Sequence, residues 1–296
     1  VTSAAIAFEP ARDRIAIPGG DIAVLRFGRP GAPPLLYAHA NGFCASAYRR
    51  MLEHVGPRFD VFAVDLRGHG RTTLATDRTD FKGLDLYGAD IGALLTAIRR
   101  KSNLSARWTL SGHSLGAVAV TLAAVGRVDV AALRLVEPVA MPPFWYWAAR
   151  TPVWPLIAPR LPLVAGARNR RAAFPDRASV LTSYRTKPLF ASWVNGVLED
   201  YLTDGLAETA AGVSLSCAPR WEAANFAAQA HDFWGAVKKA PAPIAALVAR
   251  HPSSTTPPGS IRRFQRLGVE IVLIDGVSHL APFENPAAVA GFLAAA

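Results

Sequence analysis

Gly112-His-Ser-Leu-Gly116 sets a serine between two glycines in the spacing G-x-S-x-G. A strand-like run, 107–111, precedes it, and a helix-like stretch opens at Leu115. That is the context in which such a pentapeptide does chemistry, because a sharp strand-to-helix turn lifts the serine hydroxyl into the open at the carboxyl end of the strand. Glycine at 112 and 116 leaves room where side chains would collide in the turn. The N–H of Leu115 then points from a helix start, where negative charge is favoured. The chemistry implied is nucleophilic attack by Ser114, with the Leu115 N–H as one donor to the oxyanion that forms. Pentapeptides of this kind also arise by chance, so the strand before and the helix after give the motif its weight.

A serine hydroxyl needs a base. The histidines are at positions 39, 54, 69, 113, 231, 251 and 279. His113 is beside Ser114 in sequence, but its side chain is expected to point away across the turn. His279 is the best candidate. It lies in Asp275-Gly-Val-Ser-His-Leu-Ala-Pro-Phe-Glu-Asn-Pro286, after the last strand-like run and before a C-terminal helix, at the same edge of the expected sheet as Ser114. The oxyanion needs a second N–H besides that of Leu115. The run Leu35–Ala38 leads into His39-Ala-Asn-Gly-Phe43, and the N–H of Asn41 is the expected donor. An ordinary turn is the rival reading, with Asn41 and Gly42 merely supplying unusual backbone angles.

Four motifs occur in order: His39-Ala-Asn-Gly-Phe43, Asp65-Leu-Arg-Gly-His-Gly70, Gly112-His-Ser-Leu-Gly116 and Asp275-Gly-Val-Ser-His279. In these the chain resembles the α/β-hydrolase superfamily, in its capped, lipase/esterase-like branch, over nearly its whole length. Members usually have His-Gly at the first motif, and this chain has His39-Ala40. The resemblance implies that Asp65, His69 and the glycines of the second motif build a turn after a strand and take no part in the chemistry. Serine at position 114 argues against epoxide hydrolases and haloalkane dehalogenases, which resemble this architecture but use an aspartate nucleophile.

A serine–histidine pair usually has a carboxylate that orients the imidazole and stabilises its charged form. In most of the superfamily this acid follows the strand after the cap. Here that strand is Ile244–Val248, and no carboxylate occurs between Asp232 and Glu270. Glu137 ends the strand Leu133–Val136, next after the nucleophile strand, and a carboxylate there can approach the histidine loop from the neighbouring side. Some superfamily branches, including certain dehalogenases and lactone hydrolases, are similar in placing the acid there. Glu137 is therefore the expected third member. A salt bridge from Glu137 to an arginine of the following segment is the structural alternative. Asp275 is the runner-up, too close in sequence to His279 to reach Nδ1 easily.

The elements that must hold these groups are legible as a rhythm. Short apolar runs, Leu35–Ala38, Val61–Val64, Trp108–Leu110, Leu133–Val136, Ile244–Val248 and Ile271–Ile274, alternate with helix-like stretches such as Leu86–Arg99 and Leu115–Val125. None of the runs alternates strictly, as expected for strands covered on both faces. The order points to an α/β fold, an α/β-hydrolase fold in the terms of the resemblance: a mainly parallel sheet with helices on both faces. Ile15–Ile17 and Ile22–Phe27 flank Pro18-Gly-Gly-Asp21 and read as a hairpin. After Pro138 the rhythm breaks, and strand-like Ile244–Val248 resumes it. The expected division is a core of residues 1–138 and 241–296 with a helical cap (lid) insertion, 139–240, free of strands. The insertion's many aromatics, from Phe144-Trp-Tyr-Trp147 to Trp234, are expected to form mostly its own core, with a minority lining an apolar pocket over Ser114.

With 296 residues, 51% apolar and 18% charged, the chain can bury a large core. No apolar run is long enough to span a bilayer, and the first residues lack the basic-then-apolar order of a signal peptide. Cys44 and Cys217 have no metal spacing and are read as reduced, which favours the cytoplasm. The formal net charge is +10, yet no zinc finger, RNP-type motif or long basic run signals nucleic acid. One stretch, 150–187, holds eight Lys or Arg and one acid, Asp176. It reads as a solvated helical face that would also admit a substrate with a free carboxylate. No metal or organic cofactor is signalled. The expected activity is hydrolysis of a carboxylic ester with an apolar acyl or alcohol part through an acyl-enzyme on Ser114. The same triad would serve a lactonase, an amidase or a C–C-bond hydrolase. A catalytically silent ligand-binding protein on this fold is the reading of another class.

Overall fold

Alternate residues of the central strands belong to two different cores. In the computed structural model, which describes residues 10–77, 80–102, 105–250 and 255–295, Leu36 and Ala38 pack on one side of the sheet and Leu35 and Tyr37 on the other. Phe62 and Val64 separate from Val61 and Ala63 in the same way, as do Ala246 and Val248 from Ala245 and Leu247. A strand covered on both faces must be apolar at every position, and this is why the sequence shows continuous runs. Residues 1–9, His251 and the first residues of the 253–259 loop lie outside the described residues.

The strands are β1 (Ala11–Ile17), β2 (Gly20–Gly28), β3 (Pro34–Ala38), β4 (Asp60–Val64), β5 (Trp108–His113), β6 (Val130–Val136), β7 (Ala173–Phe174), β8 (Leu206–Thr209), β9 (Gly212–Leu215), β10 (Ile244–Ala249) and β11 (Glu270–Ile274). Among the described residues, eight form one sheet in the order β1-β2-β4-β3-β5-β6-β10-β11. β1 and β2 make the expected hairpin, and β2 is antiparallel to β4. Every pair from β4 to β11 across the sheet is parallel. The carboxyl ends of β3, β5, β6, β10 and β11 therefore lie along one edge, where ligands of open parallel sheets bind.

One core holds the helices Asp85–Ser102, Leu115–Ala124 and Pro258–Arg266, and the other holds Arg49–Val55 and Pro286–Ala294. β5 runs on through His113, three residues beyond the apolar run Trp108–Leu110. The segment between β6 and β10 is not purely helical. Short helices alternate there with a second, antiparallel sheet in the order β7-β9-β8. Its strands are two to four residues long, too short to show a period of two. Many of the segment's aromatics pack on one another, Trp145 on Trp154 and Phe174, Tyr184, Phe190 and Trp193 in series, but not all do. Trp221 stacks on Phe81, Trp234 packs on Phe264, and Phe144 and Trp147 are exposed.

Two glycines of the helices behave oppositely. A Cβ on Gly116 would meet the Ala38 carbonyl oxygen at 2.2 Å and that of His39 at 2.6 Å, whereas nothing lies within 4 Å of one on Gly92. The end of β3 thus presses directly on the first turn of helix Leu115–Ala124, and backbone cannot yield. Gly116→Ala should lose about 2 kcal/mol or more of stability, while Gly92→Ala should gain about 0.5–1 kcal/mol from helix propensity. Urea unfolding midpoints check both signs.

Candidate active site

Three strand ends build a staircase. The N–H of Ser114, one residue past β5, donates to Val136 O of β6 at 3.0 Å. The N–H of Glu137, one residue past β6, donates to Leu247 O of β10 at 2.8 Å. Each residue is still tied to the neighbouring strand when the chain must leave the sheet, and each turns away at positive φ: 56° at Ser114 and 45° at Glu137. Among the described residues these are the non-glycine positions with positive φ. Such backbone is costly and persists where surrounding structure over-determines it, which occurs mostly at functional sites.

The side chains so raised converge on one histidine. His279 Nε2 is 3.0 Å from Ser114 Oγ, and its Nδ1 is 3.0 Å from Glu137 Oε2. A carboxylate only accepts, so Nδ1 carries the proton and Nε2 accepts from the serine hydroxyl. Glu137 is fully buried, and its other oxygen takes the N–H of Ala249 at the end of β10. The alternative of a salt bridge to an arginine is not what the structure places there. Asp275 is at the surface, paired with Arg250 at 2.6 Å. Thr255 Oγ1 also lies 3.1 Å from His279 Nδ1, a second acceptor supplied by the loop after β10, where the resemblance led us to look for an acid.

The turn after β3 supplies the other half of the site. Phe43 N–H donates to Ala40 O across Asn41-Gly42, with Gly42 at φ 78°, as a turn with glycine in third place requires. The N–H of Ala40 is taken by the Tyr48 hydroxyl at 3.0 Å and that of Gly42 by His69 Nε2 at 3.1 Å. Among the described residues the N–H groups of Asn41 and Leu115 have no protein acceptor. The Asn41 side chain is turned into the segment between β6 and β10. Its amide donates to Glu222 O at 3.0 Å and accepts from Asn225 Nδ2 at 2.8 Å, and Tyr87 donates to Asn225 Oδ1 at 2.8 Å. Helix Pro219–Ala227 thus fastens the turn. The Glu222 carboxylate also abuts Gly42 and pairs with Arg170 of the basic stretch at 3.0 Å.

The family model described as the alpha/beta hydrolase family matches residues 35–292. The chain belongs to the alpha/beta hydrolase family. Solved structures of hydrolases share its fold at low identity. E-2-(acetamidomethylene)succinate hydrolase is 18% identical with a TM-score of 0.77, covering 95% of this chain and 97% of its own. The thioesterase domain from the curacin biosynthetic pathway is 18% identical with a TM-score of 0.74, covering 96% and 98%. A thermophilic esterase from Thermogutta terrifontis is 20% identical with a TM-score of 0.63, covering 95% and 96%. No protein of curated function matches the sequence.

The remaining motif residues hold this hydrolase's site in place. Asp65 accepts the N–H groups of Ala45 and Arg71, each at 2.8 Å, and a side chain on Gly70 would strike its carboxylate. His39 Nε2 accepts from Leu66 N–H, so Nδ1 donates to Ala40 O. His69 Nε2 accepts from Gly42 N–H, so Nδ1 donates to Arg67 O. His113 does point away from the Ser114 hydroxyl. Its Nε2 donates to His279 O at 2.8 Å, and its Nδ1 accepts from Tyr48 O–H at 2.8 Å. One chain of hydrogen bonds, Ala40–Tyr48–His113–His279, therefore ties the turn after β3 to the backbone of His279. Tyr48, Asn225 and Thr255 carry no motif, and only His113, by adjacency to Ser114, was in view from sequence. Among the described residues no group of three or more His, Cys, Asp or Glu could hold a metal. A cavity of about 1050 Å³ lies between residues 80–89, residues 149–168 and helix Pro219–Ala227, and Ser114 is not in its lining. The serine itself is 7% exposed, so the expected open pocket above it is nearly closed. Beside the histidine loop, Phe43 packs tilted or edge-on against Trp193, Tyr201 and Phe283, and Trp193 packs tilted on Phe283.

Burial pushes the imidazoles of His69 and His231 down to about 4, and those of His39 and His113 well below the usual value, helped by the neighbouring histidines. Burial also pushes Asp65 up to about 6. Between about pH 6.5 and 4 the unfolded chain takes protons that these folded histidines refuse. Each then lowers stability as pH falls, by up to ~1.4 kcal/mol per pH unit, and Asp65 acts with the opposite sign. Long-range ¹H–¹⁵N spectra should show His39 and His69 as Nδ1–H tautomers and His113 as the Nε2–H tautomer. All three should be unchanged from pH 7.5 to about 5. Titration of any of them in that range contradicts the network.

Proposed function

We propose that this hydrolase cleaves a carboxylic ester with an apolar acyl or alcohol part, through an acyl-enzyme on Ser114. The observation that carries this reading is the continuous relay from Ser114 Oγ through His279 to the buried Glu137 carboxylate, each step 3.0 Å. As Ser114 attacks the carbonyl, His279 Nε2 takes its proton, and Glu137 stabilises the imidazolium at Nδ1. The N–H groups of Leu115 and Asn41 receive the oxyanion, and pre-set donors of this kind contribute much of the rate in acyl transfer. Collapse of the tetrahedral intermediate expels the alcohol with the proton from His279. Water, deprotonated by the same imidazole, then attacks the acyl-enzyme and releases the acid.

The helical segment between β6 and β10 acts as the cap in this reading, from about residue 139 to 240. It supplies Trp193 and Tyr201 to the aromatic cluster and, through Asn225, holds the oxyanion turn. Similar folds serve a thioesterase and an esterase, and an enol-lactonase from Burkholderia xenovorans shares the fold at 16% identity and a TM-score of 0.64. The aromatic cluster of Phe43, Trp193, Tyr201 and Phe283 beside the histidine loop supports an ester with a sizeable apolar group. The basic stretch 150–187 supports a substrate with a free carboxylate, although Arg170 itself is paired with Glu222.

A panel of esters, thioesters, lactones and amides of varied acyl length tests the bond cleaved, and ester turnover abolished in Ser114→Ala is the expected result. Glu137→Gln should keep the fold by circular dichroism and lower kcat by roughly 10³–10⁴-fold, because the imidazole loses its orienting acceptor. Near-normal turnover would remove Glu137 from the triad. Asn225→Ala should lower kcat by roughly tenfold with little change in KM, since it loosens an oxyanion donor that acts only in the transition state. A change in KM alone would make Asn225 a substrate contact instead.

A further inference from the structure

The helices Phe144–Ala148, Trp154–Ile157 and Pro162–Arg168 follow one another with proline near each start. They form a thin layer over helix Pro219–Ala227. The inner side of that layer is well defined: Trp154 and Ala158 cluster against Ala227 and Ala230, and Val164 and Ala167 against Ala223. The Trp154 indole donates to Ala227 O at 2.9 Å. The outer side is the opposite of what a soluble face should be. Phe144, Trp147, Val153, Leu156, Ile157 and Leu163 are 49–66% exposed, and they are six of the eleven large apolar residues exposed among the described residues. Concentration of such residues into one short stretch marks an interaction surface.

The charge around these side chains selects the partner. From 138 to 175 there is no Asp or Glu, and Arg150, Arg160, Arg168 and Arg171 are exposed, while Arg170 is paired with Glu222. Exposed Trp, Phe and Leu ringed by Arg is the composition of a helix that lies in the headgroup region of an anionic bilayer, with apolar side chains in the acyl boundary and arginines at the phosphates. A second copy of the chain would bring the same arginines face to face at like charge. Nucleic acid would leave the apolar side chains without a partner. Among the described residues no helix is long and apolar enough to cross a membrane. We propose that residues 144–171 dock this hydrolase on the surface of an anionic phospholipid membrane.

Flotation of the full chain with vesicles tests this. Phosphatidylcholine vesicles with about 30 mol % phosphatidylglycerol should carry the protein at low ionic strength, pure phosphatidylcholine much less, and about 0.5 M salt should release it. The triple variant Trp147→Ser, Leu156→Ser, Leu163→Ser should bind roughly tenfold or more weakly, while its urea midpoint and its turnover of a short soluble ester stay unchanged. The flotation and urea readouts do not depend on which bond the site cleaves. Absence of binding to the anionic vesicles overturns the proposal. So does a triple variant that binds as well as the parent, since net charge alone would then suffice. A dimer in the parent that becomes a monomer in the variant, without any vesicle effect, assigns the patch to a second copy and overturns it too. Should the triple variant fold poorly, brominated phospholipid provides the check: tryptophan quenching in the parent that falls in Trp147→Phe supports the docking, and equal quenching contradicts it.

Discussion

A carboxylate that water does not reach must be satisfied by the protein around it, and the site is arranged about that requirement at Glu137. Its two oxygens are spent on His279 Nδ1 and on the N–H of Ala249. The first contact fixes the tautomer of the base and turns Nε2 towards Ser114. The second ties the acid to the end of β10, so acid and sheet cannot move independently. Loss of either partner would leave a buried charge short of a hydrogen bond, a cost of several kcal/mol. The strained backbone at Glu137 and Ser114 is held against this requirement by the ladder bonds to Leu247 and Val136. Strain and electrostatics are thus two faces of one constraint: residues just past parallel strands must lift side chains to the same point.

The second half of the arrangement fixes what Glu137 does not reach. His39, His69 and His113 are buried, neutral and fully engaged in structural hydrogen bonds, which sets them apart from His279. Tyr48 joins the turn after β3 to His113, and His113 joins the backbone of His279. On the far side, Asn225 and the Glu222 carbonyl hold the Asn41 side chain. The turn after β3 is therefore clamped between the sheet and the segment inserted after β6, so a shift of that segment would act on the turn.

The sequence carried the fold well where physics leaves a local trace. Continuous apolar runs arise from burial on both faces, and all six central runs are strands of the sheet. Ser114 and His279 were legible because a tight turn demands glycine at 112 and 116 and because the base must follow the last strand. Glu137 was legible from its place at the end of the strand after the nucleophile strand and from what the resemblance implies, given the empty stretch between Asp232 and Glu270. What stayed hidden has no period and no spacing. Tyr48 meets His113 across 65 positions, and Asn225 meets Asn41 across 184. Strands β7, β8 and β9 are too short to be told from loop, and the outward side of residues 144–163 could not be separated from its inward side because each helix there has less than two full turns.

The central claim is that Glu137 and His279 hold Ser114 as an activated nucleophile in the resting protein. A fluorophosphonate probe reads this directly, since it reacts covalently only with a serine so activated. The account predicts stoichiometric labelling of the native chain, mapped by peptide mass to the segment containing Ser114 and absent from Ser114→Ala. A folded native protein that takes no label, or takes it at another residue, contradicts the account and favours a ligand-binding protein on the same fold.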